Sequence, residues 1–268
     1  MPFSFIESYE TARRLSSNPT GRPAGCLDLQ QTRVYRAKNM ALARVAPRSP
    51  GRALRRFYRR LYRHFGPQRW WPARTRFEVI LGALLTQNTS WANVRRALAN
   101  LRRARALAPQ KLASVLARRL SRWLRPSGYY RQKTRAVRAF LRHLQRRHAG
   151  SLTRLLRRPA DALRSELLSL RGIGEETADS ILLYAAGRPV FVIDAYTRRI
   201  LSRHGLMPET APYADLQDFF HRQLPRDAAL FNEYHALLVA AGKTYCHRQN
   251  PDCPRCPLGI ELEPARAR

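Results

Sequence analysis

From about residue 51 onward, apolar side chains recur at intervals of three and four, and this period constrains the fold more than any other feature of the chain. Phe77, Ile80, Leu81 and Leu84 form an i, i+3, i+4, i+7 stripe. The same spacing returns in Ala178, Ile181, Leu182 and Ala185, and again in Tyr234, Leu237, Leu238 and Ala241. No segment alternates apolar and polar residues between hairpin turns, so strands are not expected. The pattern predicts an all-α domain of about ten helices joined by short loops. Residues 1 to about 50, with runs such as SSNPTGRPAG and APRSPGR, lack any sustained period and are expected to be a disordered basic extension, with Met40 as an alternative start. Residues 259–268 read as a tail.

Charge narrows the partner class. Lys and Arg outnumber Asp and Glu by 50 to 18, a formal net charge of +32, and such a field attracts polyanions and adds salt-dependent affinity for phosphates. Nearly all of these cations are Arg, so part of the excess also fits a compositional bias in a merely basic enzyme. Nucleic acid is the leading partner, and a cytoplasmic, nucleoid-associated monomer is expected, because no apolar run approaches the roughly 18 residues of a membrane span. Cys26 stands alone, while Cys246, Cys253 and Cys256 cluster near the end. That uneven placement points to a metal site or its remnant rather than a disulfide framework.

Two segments carry the strongest chemical signals. In Leu170-Arg171-Gly172-Ile173-Gly174-Glu175-Glu176, two glycines flank one apolar residue between two helical patterns. This suits either an ordinary interhelical turn, with the acids favoured by the first-turn dipole, or a hairpin whose backbone N–H groups hold a phosphate. In Val190-Phe191-Val192-Ile193-Asp194-Ala195, a single carboxylate follows four apolar residues. Asp194 suits an N-cap for the helix beginning near Ala195, and a catalytic anion equally, since a cap is held rigid and partly desolvated.

Taken together, Gly172-x-Gly174 and Asp194 twenty residues after Gly174 resemble the helix-hairpin-helix glycosylase superfamily, with its LPGVG-like hairpin and VDTH-like aspartate. The resemblance spans roughly residues 51 to 258. It implies a two-lobed fold with a central cleft, one lobe about 68–188 and the other about 51–67 plus 189–258. It also implies that Gly172, Ile173 and Gly174 grip double-stranded DNA beside a damaged base, and that Asp194 activates water or stabilises a cationic sugar. Bifunctional endonuclease III-like members carry a lysine two positions after the second hairpin glycine. Here that position is Glu176, which removes the Schiff-base amine and implies a monofunctional glycosylase. An adenine-mismatch enzyme is disfavoured by the lack of a second carboxylate near Gln87. A silent DNA-binding module would dispense with Asp194.

The same resemblance assigns roles in Leu84-Leu85-Thr86-Gln87-Asn88-Thr89-Ser90-Trp91 and Trp70-Trp71-Pro72. Gln87 would fill the duplex gap left by a flipped base. Adjacent tryptophans are usually core or interface residues. With the LLTQNTSW segment, however, they are similar to the 3-methyladenine branch of endonuclease III-like proteins, in which Trp70, Trp71, Pro72 and Trp91 would line the base pocket with Lys243 nearby. An N-alkylated purine is cationic, and indole faces bind such a ring by stacking and cation–π attraction. Base release then needs little acid catalysis, and no cofactor is required for the chemistry.

Relatives of endonuclease III hold a [4Fe-4S] cluster with the spacing Cys246-x6-Cys253-x2-Cys256 plus a fourth cysteine six positions on. Here that place is Leu262. Three readings remain at this point: a cluster with one non-cysteine ligand, a zinc site using His247, and a metal-free loop.

Overall fold

A computed structural model describes residues 49–71 and 73–262. The extension before residue 49, including Cys26 and Met40, the pocket candidate Pro72 and the tail from 263 lie outside the described residues. Every regular element among the described residues is helical: α1 (Pro50–Phe65), α2 (Arg76–Thr86), α3 (Trp91–Arg103), α4 (Pro109–Ala113), α5 (Ala117–Leu124), α6 (Tyr130–His148), α7 (Leu152–Leu156), α8 (Ala160–Leu168), α9 (Glu175–Ser180), α10 (Ala195–Arg203), α11 (Tyr213–Gln223) and α12 (Ala228–Thr244). None is long and apolar enough to cross a membrane.

The chain divides into two compact units. The first comprises Ile80–Leu155 and Leu170–Ile173, and the second comprises the segment ending at Val79, Leu156–Ser169 and everything from Gly174. These boundaries differ from the lobes that the resemblance implies, because 174–188 packs with the second unit: Leu183 lies in its core beside Phe191 and Leu237. Arg188 likewise donates to the carbonyls of Leu156, Arg157 and Arg158.

In the first unit, α3 shows how local sequence makes a core-facing helix. Ser90 accepts from the backbone N–H of Asn93 and caps the helix, and Val94, Ala97, Leu98 and Leu101 form its buried stripe. The stripe of α6 runs through Ala136, Val137, Phe140, Leu141 and Leu144 and packs against α5. Lys133 is also buried there, with Nζ donating to Ser127 O, and burial brings its pKa down to about 8.

The second unit is built round Leu54, Phe57, Leu61, Phe191, Phe220, Phe231, Tyr234 and Leu237. Its least regular part is the extended run Val190–Ile193, which is apolar, buried and not helical. Its backbone must therefore find side-chain partners. Phe191 N donates to His221 Nε2 at 2.9 Å, Gln217 Nε2 donates to Phe191 O at 2.7 Å, and Ile193 N donates to the Tyr213 hydroxyl at 3.3 Å. All three partners come from α11, so that helix fixes the run that ends at Asp194.

Candidate active site

Asp194 caps α10. Its backbone is extended, and Oδ1 accepts from Thr197 N at 2.7 Å, as the position after an apolar run leads one to expect. The opposite oxygen, Oδ2, stands 3.8 Å from His235 Nε2 on α12. Close approach of α10 and α12 makes this possible: a Cβ on Gly242 would lie 2.3 Å from the Tyr196 ring, so only glycine fits there.

The helix after the hairpin delivers two more groups. Glu176 lies in the first turn of α9, and Tyr184 lies in the π-helical turn Ile181–Ala185 that continues it. Such π turns are frequent at functional sites. The Tyr184 hydroxyl is hydrogen-bonded to His235 Nδ1. Glu176 keeps solvent-accessible surface, yet the protein around it crowds its carboxyl, and this crowding together with the charge of Asp194 pushes its pKa up to about 8. Glu176 thus stands near Asp194 and gives up its proton less readily than an ordinary glutamate.

Trp70 and Trp71 belong to the same unit. Their segment is anchored by Gln68 N, which donates to Glu233 Oε1 of α12 at 2.7 Å, and by Arg74 N, which donates to Glu78 Oε2 at 3.0 Å. Trp71 packs on Tyr184 with ring centroids 5.0 Å apart, and Lys243 Nζ lies over Trp70 at 5.5 Å. Crowding by protein lowers the Lys243 pKa, against the opposing charge of Asp194. The second unit thus brings Trp70, Trp71, Glu176, Asp194 and Lys243 into one neighbourhood and adds Tyr184 and His235, which sequence reasoning missed. Their sole sequence signal is a polar group inside an apolar helical pattern.

Gln87, Trp91, Gly172 and Ile173 stand on the first unit. Gln87 Nε2 donates to Gly172 O at 3.0 Å, tying the two segments together. Gly172 has φ +93°, and a Cβ there would lie 2.8 Å from Ala136 Cβ, so its conformation and its contact both require glycine. Ile173 is buried, with its N–H donating to Leu170 O at 3.0 Å. Gly174 is extended and caps α9, with open space where a side chain would stand.

The cysteine loop presents three of the four thiols of a cluster. Cys246, Cys253 and Cys256 are free thiols, and Leu262 offers no donor at the fourth position. Burial pushes the Cys256 thiol up, and Cys246 and Cys253 add to the effect, so the three sulfurs lie near one another. Two arginines of α10 hold the start of the loop. Arg203 donates to Cys246 Sγ at 3.2 Å and to the carbonyls of His247 and Arg248, while Arg199 donates to Cys246 O at 2.8 Å. With three thiols and Leu262 in the fourth place, the donor set is one thiolate short of a four-cysteine cluster.

The HhH-GPD model, described as a superfamily of base excision DNA repair proteins, matches residues 81–226. The provisional DNA repair glycosylase MJ1434 of Methanocaldococcus jannaschii is 42% identical over 205 residues, 76% of this chain and 92% of that protein. Endonuclease III of Thermotoga maritima is 30% identical over 192 residues, 72% of this chain and 84% of the relative. The crystal structure of H. pylori 3-methyladenine DNA glycosylase bound to 1,N6-ethenoadenine superposes with a TM-score of 0.59 at 27% identity, covering 79% of this chain and 96% of that one. With the family model spanning more than half of the chain, whose regular elements among the described residues are all helical and which also carries the glycine hairpin and the capping aspartate, this protein belongs to the HhH-GPD superfamily of base excision DNA repair proteins.

Proposed function

We propose that this DNA glycosylase is monofunctional and releases alkylated purines from double-stranded DNA. The observation that carries the reading is the grouping of Trp70, Trp71 and Tyr184 with Asp194 in one unit: aromatic walls for a flat cationic base beside a carboxylate for the sugar. The C1′–N bond breaks with its electron pair leaving on the base. Asp194 then stabilises the oxocarbenium-like sugar, and water adds to C1′ and gives up a proton, leaving an abasic site. Binding equally tight in ground and transition states would not accelerate this step, so the carboxylate matters as charge develops.

Gln87 and the hairpin residues Gly172, Ile173 and Gly174 take the DNA-facing roles in this reading. Charge supports it. No Asp or Glu occurs between Glu78 and Asp161, so the described first unit holds 19 Lys and Arg and no acid. Such a surface binds phosphates with strong salt dependence. The test is a panel of lesion-bearing duplexes with and without alkali. Release of N3-methyladenine, with strand breaks only after alkali, is expected. Efficient excision of thymine glycol with methylated purines ignored would refute the substrate assignment.

A bifunctional endonuclease III-type reaction is the second reading, favoured by the lowered pKa of Lys243, the one lysine of this neighbourhood among the described residues. Borohydride trapping decides between them. Covalent capture of the wild type, lost in Lys243→Ala, supports the lyase; no capture supports hydrolysis.

A further inference from the structure

The two oxygens of Asp194 are treated unequally. Oδ1 is fixed by Thr197 N, whereas Oδ2 faces the edge of an imidazole. The His235 and Asp194 side chains are 7% and 12% exposed, and His235 Nε2 has no hydrogen-bond partner among the described residues. At 3.8 Å it is too far for a hydrogen bond, and a shift of about 0.8 Å would close the gap.

Tyr184 decides what that nitrogen carries. A neutral imidazole has one donor and one acceptor nitrogen. If Nδ1 held the proton and gave it to Tyr184, the lone pair of Nε2 would face the lone pairs of a carboxylate in a buried site, leaving both unsatisfied. If the Tyr184 hydroxyl donates to Nδ1, the proton must sit on Nε2, and an N–H points toward Oδ2. The groups are held in the states this requires. Burial, with the charge of Asp194 adding to it, raises the Tyr184 pKa, so the phenol keeps its proton. Burial lowers that of His235, with Lys243 adding to the effect and Asp194 opposing it, so the ring is neutral at neutral pH.

We propose that His235 is a positioning residue for Asp194, its Nε2–H, set by Tyr184, steering the free carboxylate oxygen toward the sugar. This rests on the reading of Asp194 as the anion of the glycosylase reaction. A carboxylate anchored through one oxygen turns about its last bond, and small misplacement of a reacting group costs as much as about a hundredfold in rate. An apolar residue would satisfy the packing of α12, which is otherwise apolar at this level, but would give Oδ2 no donor.

The experiment measures single-turnover release of N3-methyladenine and duplex affinity for the full chain carrying His235→Leu, His235→Gln or Tyr184→Phe, with Asp194→Asn as reference. Gln places an amide N–H near the Nε2 position. Expected are a rate at least about thirtyfold lower for His235→Leu with affinity nearly unchanged, a rate within about fivefold of wild type for His235→Gln, and an intermediate loss for Tyr184→Phe. A His235→Leu rate within about twofold of wild type, or a His235→Gln rate as low as that of His235→Leu, overturns the proposal. Should His235→Leu lose its helical circular dichroism, Tyr184→Phe decides: an unchanged rate contradicts the proposal and a loss supports it. Full activity in Asp194→Asn would instead remove the reading on which the proposal rests.

Discussion

Arg164 and Asp179 form a two-pronged ion pair between α8 and α9, with Nε–Oδ1 at 2.7 Å and Nη2–Oδ2 at 3.2 Å, and Asp179 has 0% exposure. Gln217 Nε2 also donates to Asp179 Oδ2 at 2.8 Å while holding Phe191 O. Asp179 thereby connects the helix after the hairpin to the extended run that ends at Asp194.

Removing this carboxylate strands a partly buried guanidinium and frees Gln217. Asp179→Ala is expected to destabilise the protein by about 3 kcal/mol, because breaking a buried pair leaves one charge uncompensated. For a chain of this size that is a fall in Tm of roughly 6–12 °C by thermal melt. An unchanged Tm would show that the connection contributes nothing.

His221 gives the stability a defined pH dependence. Its Nε2 accepts from Phe191 N, and burial, aided by Arg226, brings its pKa down to about 4 from the usual 6.5. Because the folded value is depressed, the unfolded chain binds more protons between these limits. The contribution of His221 is therefore complete above about pH 6.5 and is lost as pH falls toward 4. Melts across this window should show Tm falling with acid, and His221→Gln should give a shallower slope. Equal slopes would remove His221 as a cause.

The helices were legible because their apolar period is local. The stripe Phe77, Ile80, Leu81 and Leu84 is buried as its spacing requires, and Asp194 caps a helix where its place after an apolar run indicates. Asp179, Tyr184, Gln217 and His235 were not legible. Each is a polar residue in a helical pattern, and its meaning lies in a partner dozens of residues away. Tyr184 was further hidden by the π turn, which shifts its direction relative to a regular helix begun at Glu175. The grouping of Trp70 and Trp71 with Lys243 came from resemblance alone, since no local rule relates residues so far apart in sequence.

The cysteine loop has its own test. With Arg203 on Cys246 and Leu262 at the fourth position, anaerobically purified protein should hold substoichiometric iron and show no strong absorbance near about 400 nm. Four irons per chain would show that a group other than cysteine completes the site.

The aromatic walls are tested by truncation. Trp71→Ala removes the ring that packs on Tyr184. Loss of one stacking surface is worth roughly 1–3 kcal/mol, so kcat/KM for N3-methyladenine should fall about five- to hundredfold with the melt unchanged. Trp91→Ala, on the other unit, checks independently whether that ring also meets the base. No effect from either would return the tryptophans to packing roles.

The most direct test of the account is single-turnover base release by Asp194→Asn. The substitution keeps a side-chain oxygen to cap Thr197 N but removes the negative charge. Since that charge acts mainly as the sugar becomes cationic, release of N3-methyladenine should fall by at least about a thousandfold while affinity for the damaged duplex stays within about tenfold of wild type. Release near the wild-type rate would contradict the account, because no carboxylate at this position would then be needed for bond cleavage.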